Sequence, residues 1–415
     1  MPVLGPSEVS GVDTPPSRAA WKVTAAGALA VMAALAFGRF SYTMFLPAMR
    51  ESLQLSYTAA GFLATANLAG YLVGSLAAGS LLSRLGARAG ATGGLCVLAL
   101  SLAWTGAARG LADASAARAL AGAAGAVVYV QALALVPQWF GRGGRGLATG
   151  VMHAGNGAGL VLTGLGLPLV IGAMPGTSWR AGWGALGLAT LPLLPLAWIF
   201  LRPPEASHGA GDGPLAVGGR NPLARSWGRT SLAAYAAIYA LFGISYVIYV
   251  TFFAETLHRR GLSLGQSGLA WATLGALSLA SGPLWGSLSD RLGRLEGLAV
   301  AFGLQGIAYL AFLDATAWGL IFSVALFGTT AWGIPAIMAA AVGELGRSED
   351  AAIAFGHMTT VMGLGQAVGP FLAGALADAT GVVGSGLWIA TLAAVAGVGW
   401  SLAAAVGENR VRVAT

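Results

Sequence analysis

The sequence predicts an all-α polytopic membrane protein of about twelve transmembrane helices, arranged as two pseudo-symmetric six-helix bundles. Three observations predict it. First, the 415 residues are 56% hydrophobic and only 9% charged, with a mean hydropathy of +0.75; a soluble domain is about 25% charged. Second, apolar runs recur along nearly the whole chain, among them Ala25 to Gly38, Leu95 to Ala107, Leu186 to Leu201 and Leu387 to Val406. A bilayer core of ~30 Å takes roughly 20 apolar residues per helix. Third, the second half repeats the first. Gly61, Gly79, Arg84 and Gly86 recur 207 residues later as Gly268, Gly286, Arg291 and Gly293, and Gly150, Gly157 and Gly159 recur 206 later as Gly356, Gly363 and Gly365. Single glycine matches are easy in a chain with 64 glycines. The match of Gly79-Ser-Leu-Leu-Ser-Arg-Leu-Gly86 to Gly286-Ser-Leu-Ser-Asp-Arg-Leu-Gly293 is not, and it signals duplication of a six-helix unit.

Residues 1–22 are rich in proline and serine and read as a disordered cytoplasmic tail. Arg18 and Lys22 lead into the first apolar stretch with no small-residue cleavage signal, so the first helix is expected to be retained. The spans are expected at 23–48, 57–82, 89–108, 114–138, 147–172 and 181–201, then at 231–254, 265–288, 296–313, 317–341, 352–376 and 384–405. The N-terminal bundle therefore covers 23–201 and the C-terminal bundle 231–405. Between them, 202–230 is a polar inter-bundle loop, and 406–415 forms a second tail. Fifteen of the 22 basic residues fall on the side of the termini and the loop, six on the other, with Arg39 inside a span. This bias places both termini in the cytoplasm. The basic residues are scattered rather than clustered, so a pI near 10 points to membrane topology and not to nucleic acid. A single lysine among many arginines suits a GC-rich bacterial genome, hence a bacterial inner membrane. The lone Cys96 excludes an intrachain disulfide and reads as a small packing residue.

Glycines spaced four apart, Gly70/Gly74, Gly155/Gly159, Gly282/Gly286 and Gly365/Gly369, fall on the second, fifth, eighth and eleventh helices. Small residues at this spacing let backbones approach closely. Their restriction to equivalent helices predicts a sliding contact between the halves.

The segment Gly79 to Arg88 and its copy Gly286 to Arg294 resemble the cytoplasmic signature of the major facilitator superfamily, G-x-x-x-D-R-x-G-R. Arg118-Ala-Leu-Ala-Gly122 resembles the superfamily's fourth-helix arginine motif. Phe37-Gly-Arg-Phe-Ser-Tyr42, Asn67-Leu-Ala-Gly-Tyr71 and Leu241-Phe-Gly-Ile-Ser-Tyr246 resemble the YbfB/YjiJ-type bacterial permeases. The resemblance covers residues 22–405 and implies a central cavity lined by helices 1, 4, 7 and 10. The chain departs from the pattern at Ser83, where the signature has aspartate, which weakens the first-half charge pair. Its fifth helix reads Gly155-Asn-Gly-Ala-Gly159 without the Gly-Pro step of drug antiporters, so efflux is not supported.

Arg39 is the most informative residue. It lies roughly 12 Å of helical rise before Pro47, and an intramembrane arginine costs at least ~2.5 kcal/mol, so it faces a partner or a wet cavity. Its planar fork suits a carboxylate or phosphate. Arg118 on the fourth helix is a second cation; Asp113 at the outer end is its potential partner. No acid lies inside the first six spans, so the cavity is expected to be electropositive. Tyr239, Phe242, Tyr246, Tyr249 and Phe253 form one aromatic stripe on the seventh helix, with Tyr246 and Tyr249 nearest any ligand. Tyr42, Gln131, Asn156 and Trp332 complete the expected binding set, although such polar groups also serve as helix-helix contacts. Coupling or gating is expected of His153, the one titratable candidate besides the arginines within the membrane interior of the first half, of Glu255, which is positioned to meet Arg39 or Arg118 when the outer side closes, and of Arg84, Asp290 and Arg291. Asp290 is expected to meet a helix N-terminus or a loop arginine such as Arg145.

No paired carboxylates, metal set or activated nucleophile occurs within the membrane, so an enzyme is not expected, nor any cofactor. The expectation is a monomeric secondary active transporter of a small organic anion, working by alternating access; a coupling proton, uniport and coupling through the substrate's own charge all stay open. An efflux permease for neutral or cationic drug-like or sugar solutes is the second reading, and a membrane sensor without transport the third.

Overall fold

The computed structural model describes residues 17–140, 144–173, 178–204, 229–344 and 348–414. Most of the expected tail at 1–22 and loop at 202–230 lies outside them. The described residues form helices and no strand. Helix α1 is Arg18–Ser52. The helical stretch Tyr57–Ala107 breaks at Gly86, giving α2 over 57–85 and α3 over 87–107. Then follow α4 (Leu111–Trp139), α5 (Arg145–Gly172) and α6 (Trp179–Phe200). The second half comprises α7 (Arg229–Arg259), α8 (Leu264–Leu292) and α9 (Arg294–Leu313), then α10 (Ala317–Gly343), α11 (Ser348–Thr380) and α12 (Val383–Gly407). Ten helices among the described residues are long and apolar enough to cross a membrane. That number treats Tyr57–Ala107 as one helix and omits the serine- and glycine-rich α8. With both restored, the order matches the expected spans.

The repeat has a local physical basis. Ser56 caps α2 by accepting from the Ala59 amide, and Ser263, 207 residues on, caps α8 by accepting from the Gln266 amide in a capping box. At the other ends of these helices, Gly86 has φ 77° and Gly293 φ 100°. Only glycine adopts such angles without strain, which is why the repeated motif keeps glycine there.

The two bundles meet on a pseudo-two-fold axis. Contacts between equivalent positions lie on that axis, and α1 and α7 supply them: Thr43 donates to the Val250 carbonyl at 2.6 Å, 207 residues away, and Arg50 bonds Glu255, 205 away. On either side the contacts come in related pairs. A Cβ on Gly61 of α2 would lie 2.1 Å from the Pro370 carbonyl of α11, and one on Gly268 of α8 would lie 2.2 Å from the Gly164 carbonyl of α5. Likewise Gly157 faces Leu279, and Gly363 faces Leu72. Among the described residues, cross-bundle hydrogen bonds run from the middle of α1 to the end bearing Arg50, Glu255 and Asp378. That end is closed. Toward the other end, a Cβ on Gly79, Gly150, Gly286 or Gly356 would meet nothing within 4 Å.

Two expectations are corrected here. The four-spaced glycine pairs do not join the bundles. Gly70 and Gly74 pack on Ala119 and Ala123 of α4, Gly155 and Gly159 on Ala28 and Ala36 of α1, and Gly365 and Gly369 on Ala240 and Ile244 of α7, while Gly282 and Gly286 have open space. A glycine stripe tells how close a neighbour comes, not which neighbour it is. Cys96 is exposed on α3 rather than packed inside.

The Gly61 contact yields a prediction. Gly61→Val places methyl groups against an immovable carbonyl, so α2 and α11 must separate. We expect longer spin-label distances across the closed end in this variant, and unchanged distances would show that the crossing does not hold that end shut.

Candidate functional site

The site begins with a helix defect. Residues Met32–Phe40 of α1 are wound as a π-helix, and the Ser41 amide and hydroxyl both reach the Ala36 carbonyl at 2.8 Å. Such wide turns shift a side chain off its α-helical heading and cluster at functional positions. Here the segment carries Arg39. Its Nη2 donates to the Tyr246 hydroxyl of α7 at 2.6 Å and to Gln366 Oε1 of α11 at 2.5 Å. The rings of Phe40 and Tyr71 lie 5.1 and 5.6 Å from its Cζ, distances at which ring faces stabilise a cation. Arg39 thus joins the two bundles at their midpoint through neutral partners.

Arg118 stands behind it. Its side chain is 1% exposed, its Nη2 donates to the Arg39 carbonyl at 3.3 Å, and its guanidinium lies between the Tyr42 and Trp183 rings, 5.4 and 4.8 Å away. Nε and Nη1 have no hydrogen-bond partner among the described residues. Asp113 is occupied elsewhere, accepting from the Trp104 indole at 2.6 Å and the Arg109 amide at 3.0 Å. The expected alternative of an Asp113–Arg118 pair is therefore not what forms. Tyr42 donates to the Ala60 carbonyl at 2.7 Å, and Asn67 donates to the Arg118 and Gly38 carbonyls at 2.9 and 3.3 Å. Together these lock α1, α2 and α4 around the two cations.

The aromatic stripe divides. Tyr239, Phe242 and Tyr246 stack in line, with centroids 6.0 and 4.6 Å apart, and Tyr246 reaches Arg39. Tyr249 turns away from the site, contrary to expectation. Its hydroxyl pairs with Ser323 at 2.8 Å, and its ring packs on Phe327 at 4.3 Å and Phe312 at 5.0 Å. Three residues rotate a helix by about 300°, so Tyr249 sits about 60° round from Tyr246, far enough to fall between α9 and α10. Trp332 is brought in: α10 breaks between Thr330 and Gly333, and the indole lies 5.9 Å from Phe40 and 6.2 Å from Tyr246.

The other expected residues are placed apart from Arg39. Gln131, wholly buried, donates to the Ala78 carbonyl at 3.0 Å and ties α4 to α2. Asn156 is buried with its Oδ1 unpartnered among the described residues. His153 Nδ1 bonds the Thr149 carbonyl at 2.8 Å, and Nε2 meets the Tyr129 hydroxyl at 2.7 Å. A carbonyl only accepts, so Nδ1 donates to Thr149, and a neutral ring would then accept from Tyr129 at Nε2.

Glu255 meets neither Arg39 nor Arg118. Its Oε1 accepts from Arg50 Nε at 2.9 Å and Arg259 Nε at 3.1 Å, and its side chain is 1% exposed. Nine residues of α7 separate it from Tyr246, or about 14 Å, beyond reach of Arg39. Around it, Glu51 meets His258 at 3.1 Å, and Asp378 accepts from the Tyr57 and Thr58 amides, both at 2.8 Å. A carboxylate of one bundle thereby caps a helix N-terminus of the other. At the opposite end Asp290 pairs with Arg294 at 2.5 Å, not with Arg145, which donates to the Phe140 carbonyl. Arg294 also binds Glu344, so this cluster ties α8 to α10 inside one bundle. An i,i+4 partner is reached without crossing between bundles. Arg84 and Arg291 are exposed.

Sequence reasoning missed Gln366 and Arg50. Gln366 was signalled as the one amide in its span. Arg50 was signalled by its place, one repeat before Glu255.

Comparison with known proteins agrees with this architecture. Residues 31–403 match the family described as "Uncharacterised MFS-type transporter YbfB". The chain is 30% identical over 401 residues to monocarboxylate transporter 11 of Mus musculus, covering 88% of this chain and 83% of the relative. In fold it is similar to a bacterial homolog of the human lysosomal transporter Spinster, in inward-facing and unoccupied conformation. That likeness has TM-score 0.74 and 14% identity, covering 94% of this chain and 96% of the other. It is also similar to the nucleoside transporter NupG, with TM-score 0.73 and 13% identity over 93% and 98% of the two chains. With the match spanning nearly the whole chain, the protein belongs to the YbfB-type family of major facilitator transporters.

Proposed function

We propose that this transporter carries a small organic anion across the bacterial inner membrane by alternating access. The observation that carries the reading is Arg39: a guanidinium at the midpoint of the bundle interface, held by a phenol, an amide and aromatic faces, with no carboxylate bonded to it among the described residues. Such a charge draws an anion, and a substrate carboxylate would bond it more strongly than its neutral partners do. The sequence relationship to a monocarboxylate transporter supports the same class. The arginine bias supports cytoplasmic termini, which makes the closed end the outer one and this state open to the cytoplasm. Opening the outer end then requires parting Arg50 from Glu255 and Asp378 from the start of α2. His153, bonded to Thr149 and Tyr129, is the candidate for a coupling proton, and the unit of transport is the monomer.

The test is uptake of labelled organic acids into proteoliposomes, with and without a pH gradient. We expect saturable anion uptake that is stimulated by the gradient. Transport of neutral or cationic solutes alone would sink the reading. A reporter fused after Thr415 and active only on the outer face would overturn the orientation.

A further inference from the structure

The open ends of the two bundles differ in charge. Between residues 17 and 204 the only acids are Glu51 and Asp113, and both lie at the closed end. The open end of the first bundle carries Arg18, Lys22, Arg84, Arg88, Arg145 and Arg202 with no acid among them. The second bundle repeats the motif with its charge balanced. There Arg294 is bonded to Asp290 and Glu344, whereas Ser83 stands in the first copy where the second has Asp290. Sidedness alone asks for basic turns on both bundles, so the difference needs another reason. Three of these cations share a patch with aromatic rings, because the end of α6 packs against α1 and α3. Arg88 of α3 lies with its Cζ 4.1 Å over the Trp198 ring of α6. Trp139 at the end of α4 donates its indole N–H to the Arg202 carbonyl at 2.8 Å. The adjoining Phe140 packs edge-on against Trp21 of α1 at 5.4 Å, beside the exposed Lys22. Among the described residues no carboxylate pairs with Lys22, Arg88 or Arg202.

From this we infer that the patch binds the headgroup of an anionic phospholipid, with the phosphate on Arg88 and Arg202 and the acyl chains along the end of α6. Stacking on Trp198 occupies the face of the Arg88 guanidinium and leaves its N–H edge for an acceptor, and a phosphate takes such an edge through paired hydrogen bonds. The occupant is a lipid because apolar surface continues from the cations into the span: Trp198 is 48% exposed and Ile199 53%. Tryptophan at a helix end sits at headgroup level, and basic side chains there are drawn to anionic lipid. The balanced cluster around Arg294 offers no such charge. The inference goes beyond the transport reading and needs neither its substrate nor its orientation.

The experiment titrates the full chain, purified in detergent, with phosphatidylglycerol and phosphatidylcholine of identical acyl chains, read by native mass spectrometry. We expect the first phosphatidylglycerol to bind at least about tenfold more tightly than phosphatidylcholine, since each basic side chain at the surface contributes about fivefold. The double variant Arg88→Gln/Arg202→Gln should bring that preference down to about twofold or less, and Arg291→Gln on the second bundle should leave it unchanged. Arg202→Glu, at an exposed position after α6 has ended, should by itself lower the preference at least about fivefold, which decides the matter if the double variant fails to fold. Equal binding of the two lipids overturns the inference. A preference that survives the double variant, or that Arg291→Gln removes, overturns its placement on this patch. Glycerol phosphate that displaces phosphatidylglycerol at equal concentration overturns the lipid as occupant in favour of a soluble phosphate.

Discussion

Replacing Arg39 by alanine is expected to weaken organic-anion binding by roughly ten- to a hundredfold. A charge-assisted hydrogen bond contributes ~1.5–3 kcal/mol, and each 1.4 kcal/mol is about tenfold in affinity. Arg39→Lys should restore part of the loss, because lysine keeps the charge and loses the planar fork. The side chain also joins the bundles through Tyr246 and Gln366, so the alanine variant removes two things at once. Gln366→Leu and Tyr246→Phe separate them. Both keep the cation while removing a neutral partner that the anion must displace, so anion affinity should hold or rise. If Arg39→Ala leaves affinity intact and slows only turnover, the residue is a bundle-to-bundle tie and not an anion anchor. Equilibrium binding beside single-turnover transport measures both quantities.

Glu255→Gln is expected to open the closed end by about 2–3 kcal/mol, a thirty- to hundred-and-fifty-fold change in the conformational equilibrium. The carboxylate is buried and accepts from two arginines, Arg50 on the other bundle and Arg259 one turn along its own helix. Removing one member of a buried ion pair costs 3–5 kcal/mol where the remaining charge stays buried. The smaller figure applies because Arg259 is 45% exposed and regains water. Arg50 stays partly enclosed and stacked 4.5 Å over Tyr57, so the strain falls on the α1–α7 contact. Spin labels on the turns after α1 and α7 should report the wider separation. A double-mutant cycle with Arg50→Gln tests the pairing itself. Purely additive shifts would mean that the bridge is incidental to closure.

Much of the fold was legible in one dimension, and the repeat was legible in more detail than the span count. The offset of 207 paired Gly86 with Gly293, which prove to be positive-φ glycines, and the caps Ser56 and Ser263 obey the same offset, because a cap or a left-handed turn depends on residues within one helical turn. The same offset marks contacts on the symmetry axis, since equivalent residues of α1 and α7 meet there: Arg39 with Tyr246, Thr43 with Val250, Glu51 with His258. The site was legible as a cation and an aromatic helix, but not as a set of bonds.

By itself the sequence determined the membrane class, the duplicated bundle and the presence of an arginine at mid-span, because hydropathy, repeat spacing and the position of a charge in an apolar run are properties of composition and order. Only the tertiary structure decided who meets whom. It gave Glu255 to Arg50 and Arg259 instead of Arg39, set Asp290 on Arg294, sent Tyr249 into its own bundle, chose Gly61, Gly164 and Gly268 over the four-spaced pairs for the bundle interface, and brought Gln366 to Arg39. The reason is geometric. A partner is set by the rotation of each helix, about 100° per residue, and by which helix lies opposite, and neither quantity is written in the spacing along a single chain.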